Sequence, residues 1–449
     1  MADVSGFPYF EVQFTKQGKL FEPGERQAVL DATGNLDELF VVAHGWNNDV
    51  AEARALYRTL FGNVRRGLDD GRAPGLAGRR IGVLGVLWPS KKFAEEDLTP
   101  GGGASLGGAV DDQTLSQQLD GLKGTFDGPD EAVLEQAKAL LPRLESDPQA
   151  RQEFVDLLRS VLPAPEDPAD DASDVFFELS GEEIFQLLEP PILPGPPGGG
   201  GGGGAAAIGL MEAGPPPGME MGAGGAAGIG DFFGGIKAAA RRVLNFATYY
   251  QMKERAGKVG ADGLNPLLRE LRAAAPGLRI HLVGHSFGGR VVTTAAMGRA
   301  GSAGMAPASM TLLQAAFSHN GFAEDFDGER DGFFRELVVQ GKVAGPIVIT
   351  HTRNDTAVGI AYPIASRLSR QDASDLGDED DIFGGIGRNG ALARVTPEAV
   401  AGDLLDANGV YAFATGKLYN LQADPWITGH SDVTGPQVAN ALLAAASSA

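Results

Sequence analysis

The chain has 449 residues, enough for two or three domains with full cores. Its 65 glycines and 27 prolines are concentrated locally, and it has no cysteine, which excludes disulfides, thiolate metal sites and cysteine nucleophiles. The net charge of -21 is carried almost entirely by residues 91 to 235, where 26 Asp and Glu face 7 Lys and Arg, so this surface repels nucleic acid and anionic membranes.

The first residues, Met1 to Gly6, show neither a basic start nor an apolar run, and no stretch has the length needed to cross a bilayer. A cytoplasmic protein without a transmembrane segment is expected, with export by a signal-independent route left open. Tyr9 to Phe14 alternates in period two and suits an edge strand. Glu38 to Ala43 and Ile81 to Trp88 are nearly continuous apolar runs, as interior strands of a sheet covered on both faces would be. The first interior strand leads into His44-Gly45-Trp46-Asn47-Asn48-Asp49. A glycine there lets backbone approach a reacting carbonyl, and His44, Gly45 and Asn47 are expected to line the substrate.

Residues 91–235 form an acidic insertion between Trp88-Pro89-Ser90 and a helix starting near Ile236. Helix starts are expected at Asp130-Glu131, at Asp147-Pro148 and at the capping box Ser180/Glu183, with Pro190-Pro191 as a stop. From Ile192 to Gly235 the composition is Pro, Gly, Ala and Met, and flexibility is expected, because ordering such a stretch loses much entropy for little burial.

Ile280 to Val283 is a short apolar strand running into Gly284-His285-Ser286-Phe287-Gly288, followed by the helical spacing of Val291, Val292, Ala295 and Ala296. A strand, a G-x-S-x-G turn and a helix in that order hold a serine hydroxyl clear of the backbone, which makes Ser286 a candidate nucleophile. Ser309 to Gln314 and Gly345 to Thr350 continue the alternation of strands with helices that implies a parallel sheet. Between them, Asp325 to Gly332 resembles a calcium loop but has Arg330 where glycine is required, and Gly198 to Gly204 lacks the Lys-Ser or Lys-Thr of a phosphate loop. No cofactor or metal is expected.

A serine nucleophile needs a base, an acid to orient it, and donors for an oxyanion. Asp355 sits where the strand ending at Thr350 turns, whereas Asp372, Asp375, Asp378, Asp380 and Asp381 lie in an acidic tract that reads as solvated loop. Lys417 to Leu421 is a last strand, and His430 follows it, before a terminal helix from Pro436 to Ala444. His430 is the one histidine beyond the candidate acids and therefore the expected base. His351 and His281 lie on strands and are assigned structural roles. The backbone N–H groups of Phe287 and Trp46 are the expected oxyanion donors.

Taken together, HG at His44-Gly45, the turn at Ser286, the acid Asp355 and the base His430 resemble the α/β-hydrolase superfamily over residues 9 to 90 and 236 to 445. Within it, HGWNND, LWPS and GHSFGG look like bacterial serine hydrolases of the esterase and lipase type. The resemblance implies a mostly parallel, doubly wound sheet in a catalytic domain of residues 1–90 and 236–449, with residues 91–235 as a cap or lid. It implies hydrolysis of a small-molecule or lipid ester, or of a thioester or amide by the same three residues. A different expectation is a non-catalytic interaction module whose acidic helices, with Met211, Met219 and Met221, bind a basic protein partner.

Overall fold

In the computed structural model, residues 2–46, 48–90, 110–164, 173–189, 235–299, 301–302, 305–355 and 383–449 are described. By internal contacts the chain divides into one unit of Met1–Lys91, Met252–Val358 and Gly384–Ala449 and a second of Lys92–Gln251 with Gly359–Phe383.

The first unit is an α/β structure built on nine strands: β1 (Ala2–Val4), β2 (Phe7–Gln13), β3 (Glu38–Ala43), β4 (Ile81–Leu87), β5 (Arg279–His285), β6 (Ser309–Leu313), β7 (Ile347–His351), β8 (Ala399–Asp403) and β9 (Leu418–Gln422). Their order across the sheet is β1-β2-β4-β3-β5-β6-β7-β9-β8, and every pairing except β1 with β2 is parallel. The continuous apolar runs of β3 and β4 are buried at every position, as a sheet with two covered faces requires. On one face Phe40, Val42, Val83, Val283, Leu313 and Val348 join a core with Tyr57, Leu60 and Phe61 of the helix Val50–Asp69 and Leu442 and Leu443 of the helix Pro436–Ser447. Each such side chain contributes about 1.5–3 kcal/mol by leaving water. On the other face the helix Phe287–Met297 lies against β3, β5 and β6.

Two strand expectations are corrected. The segment at Tyr9 is not an edge, because Ala2–Val4 pairs antiparallel outside it, with Ala2 opposite Tyr9. Period-two alternation reports that the two faces differ, not that an edge is open. At the other side β8 is the edge, a strand that no apolar pattern announces, since Val400 to Asp403 are exposed.

The second unit is helical where described. Helices Glu131–Leu140, Pro148–Val161 and Gly181–Leu188 begin where the capping residues foretell. Ser180 and Glu183 form the reciprocal capping box, and Asp147 accepts the N–H groups of Gln149 and Ala150. Asp130 acts differently: its carboxylate accepts the N–H groups of Gly124 and Phe126 in the preceding loop. Helix Asp112–Gly121, capped by Asp111, was not anticipated, because only Leu115 and Leu119 mark its buried face. By internal contacts, the second unit runs past residue 235 to Gln251. The helix Ile236–Lys258 opens on the insertion's own partners, Lys237 on Asp112 (3.1 Å), Asn245 on Gln118 (2.9 Å) and Phe246 on Phe176. The Pro/Gly-rich stretch expected to be flexible lies, up to residue 234, outside the described residues. Among the described residues no helix is long and apolar enough to cross a membrane.

Candidate active site

Because the strands from β2 to β8 run parallel, the loops after β3, β5, β7 and β9 all leave the same, carboxyl, edge of the sheet. Ser286 follows β5 directly with φ 54° and ψ −127°, a left-handed backbone that costs a non-glycine residue about 1–3 kcal/mol. Main-chain bonds hold it there. Its N–H donates to the Leu313 carbonyl (3.0 Å), and its own carbonyl accepts from Gly289 (2.9 Å) and Ala316 (3.1 Å). The flanking glycines are sterically obligatory: a Cβ at Gly284 would stand 2.4 Å from the Gly288 carbonyl oxygen, and one at Gly288 2.2 Å from that of Ala43.

The loop after β3 lies against this turn. A Cβ on Gly45 would sit 2.7 Å from the Ser286 Cβ, so only glycine brings this backbone so near the serine. Trp46 follows, its ring edge-on to Phe287 at 6.0 Å, and its indole Nε1 is buried without a hydrogen-bond partner. Asn47 lies outside the described residues. His44 is 1% exposed. Its Nδ1–H donates to the Gly45 carbonyl (2.9 Å), its Nε2 accepts the Trp88 N–H (3.3 Å), and its own carbonyl accepts the Trp88 indole N–H (2.9 Å). Burial pushes this imidazole down to about 4, so it is a neutral clasp between the ends of β3 and β4.

Asp355 and His430, 75 residues apart, meet: His430 Nδ1–H donates to Asp355 Oδ2 at 2.8 Å. The carboxylate is fully buried, and the imidazole is 20% exposed. Using Nδ1–H in this way leaves Nε2 as the basic nitrogen. The two loops are sewn together by residues with no obvious signal in the sequence. Asp424, two residues past β9, accepts Thr352 Oγ1–H (2.8 Å) and the Arg353 N–H (3.0 Å), while Asn354 donates to the carbonyls of Asp424 (3.1 Å) and Ile427 (2.9 Å). Burial alone would raise the Asp424 carboxyl, but the Thr352, Gln422 and Arg353 hydrogen bonds outweigh it and hold it below the usual range. Gln314, after β6 and also left-handed (φ 44°), accepts from Thr350 Oγ1 (2.6 Å) and donates to the Gly387 carbonyl (2.8 Å), which ties β6 beside the serine to β7 below the acid.

The remaining histidines are structural or adjacent to the site. His281 is buried at the opposite end of β5, between Ser309 (2.8 Å) and Glu38 (2.8 Å), and His351 closes β7 at 3.4 Å from the Arg388 carbonyl. His285, next to Ser286, donates Nε2–H to the His430 carbonyl at 2.9 Å. The rival acids at 372 to 381 lie outside the described residues. In the Asp325 to Gly332 loop, Asp327 binds the Arg330 guanidinium and the Glu329 and Arg330 N–H groups.

The site therefore sets a strained serine, a close-approaching glycine loop and a carboxylate-oriented imidazole on one edge of a parallel sheet. No protein-family model, curated protein or solved structure matches the chain.

Proposed function

We propose that the protein is a serine hydrolase of the α/β-hydrolase type that cleaves a carboxylic ester through an acyl-enzyme on Ser286. The observation that carries this reading is the 2.8 Å bond between His430 and a fully buried Asp355, on loops that leave the same sheet edge as the strained Ser286 turn. In the reaction, His430 Nε2 takes the Ser286 Oγ proton as the oxygen attacks the ester carbonyl, and Asp355 stabilises the imidazolium. The Phe287 and Trp46 backbone N–H groups bind the oxyanion. His430 then returns the proton to the leaving alcohol, and water, deprotonated by the same imidazole, releases the acid and regenerates Ser286. A small-molecule or lipid ester as substrate, and a cytoplasmic location away from nucleic acid, belong to the same proposal.

A fluorophosphonate probe tests it. Mass analysis of the full chain is expected to show one adduct, mapped to Ser286 and missing in Ser286→Ala, with ester turnover lost in that variant. Wild-type protein that takes up no label and turns over neither esters, thioesters nor amides would overturn the proposal and favour the interaction-module reading.

A further inference from the structure

His285 has no part in the proton transfers above, yet it touches both loops that those transfers depend on. It is 3% exposed, and its Nε2–H donates to the main-chain carbonyl of His430 at 2.9 Å, with the two rings 5.0 Å apart. On its other side a Cβ at Gly45 would come within 3.0 Å of its Nδ1, the same Gly45 that abuts Ser286. That Nδ1 is buried and accepts no hydrogen bond. The backbone of His285 is the last residue of β5, paired in register with Leu313 of β6, so the ring is anchored to the centre of the sheet. The loop that carries His430 is tied at its two ends, by Asp424 and Ile427 to Thr352, Arg353 and Asn354 and by the Thr434 carbonyl to Asn63 (2.6 Å), and the His285 bond holds it between them.

We infer that His285 is a positioning residue, whose ring fixes the backbone of His430 relative to the serine turn and thereby keeps the imidazole seated on Asp355. The inference rests on the reading of Ser286, His430 and Asp355 as nucleophile, base and acid. The donor must be an N–H that reaches the carbonyl, so side-chain length and hydrogen-bonding capacity both count. Gln places an amide N–H where His places Nε2–H, Asn is too short, and Phe fills the space without a donor.

Three variants, His285→Gln, His285→Asn and His285→Phe, separate positioning from packing. Each is compared with wild type by ester kinetics and by the downfield proton resonance of the His430 Nδ1–H in one-dimensional spectra, assigned by its loss in His430→Gln. Phe and Asn are expected to lower kcat by about tenfold to a hundredfold with KM within about twofold, as misplacement by about 1 Å does, and to broaden the resonance. Gln is expected to restore kcat to within about threefold of wild type and to keep the resonance sharp. If Phe unfolds the protein, the Asn and Gln pair decides alone. A sharp resonance and unchanged kcat in Asn or Phe, or a Gln variant as impaired as Asn, would overturn the inference. The resonance needs no turnover, so failure of the hydrolase proposal, seen as an unlabelled wild-type Ser286, remains distinguishable from failure of this one.

Discussion

A serine at φ 54° persists only where its surroundings leave no alternative, and here the alternatives are removed atom by atom. Gly45 is the case that touches the serine itself, because a Cβ there would stand 2.7 Å from the Ser286 Cβ. Gly45→Ala is expected to keep the circular-dichroism spectrum and to cut kcat/KM by about a hundredfold, the scale of losing one oxyanion donor; a variant within about threefold of wild type would remove this loop from the chemistry. Ser286 and Gly288 are legible as residues because the G-x-S-x-G demand is local: strand, turn and helix are contiguous in the chain. The clasp made by His44 is not legible, because it is not local. Its neighbour Gly45 does approach the serine, but the Trp88 contacts that bury the histidine come from 44 residues away.

At the scale of elements, the acid and base loops act as one unit through Asp424, Thr352 and Asn354. Thr352→Val deletes the hydroxyl that bridges to Asp424 while nearly conserving volume, and it should cost about 1 kcal/mol in urea unfolding. A kcat loss of about tenfold is expected with it, since the loops then hold Asp355 and His430 less firmly; unchanged kcat would show that the Asn354 bonds suffice. In the second unit Gly181, the first residue of a capped helix, has no room for a Cβ, which would stand 2.5 Å from the Gln152 Cα. Gly181→Ala should therefore destabilise this unit by about 1–3 kcal/mol despite the better helix propensity of alanine, measured by thermal unfolding. The helix starts at Asp147-Pro148 and Ser180 are legible because capping is satisfied within four residues. The close approach of Gly181 to another helix is not, since glycine at a helix start has many uses.

For the whole molecule, burial lowers four imidazoles: it pushes His44 from 6.5 down to about 4, with repulsion from His430 it pushes His285 to about 3, and it shifts His281 and His351 the same way. Between pH 6.5 and about 4 the unfolded chain therefore binds more protons than the folded one, so stability rises with pH, is fully present above about 6.5 and is lost as pH falls. The slope reaches at most about 1.4 kcal/mol per pH unit for each ring. Carboxylates held below their ordinary range, such as Glu11 on Arg54, add their loss only below about 4.5, so urea midpoints at pH 7.5, 6.5 and 5.5 isolate the histidines. A flat profile over that span would mean that these rings are not buried in solution. By itself the sequence determined that strands alternate with helices, that the interior strands are covered on both faces, and where the serine turn stands. These follow from apolar runs and steric rules acting between neighbours in the chain. Only the tertiary structure decided that β1 and β8 form the edges, that the helix from Ile236 belongs through Gln251 with the insertion, that His44 is a clasp, and that His285 reaches His430. Those outcomes depend on contacts between residues tens to hundreds of positions apart, whose energies no local pattern records.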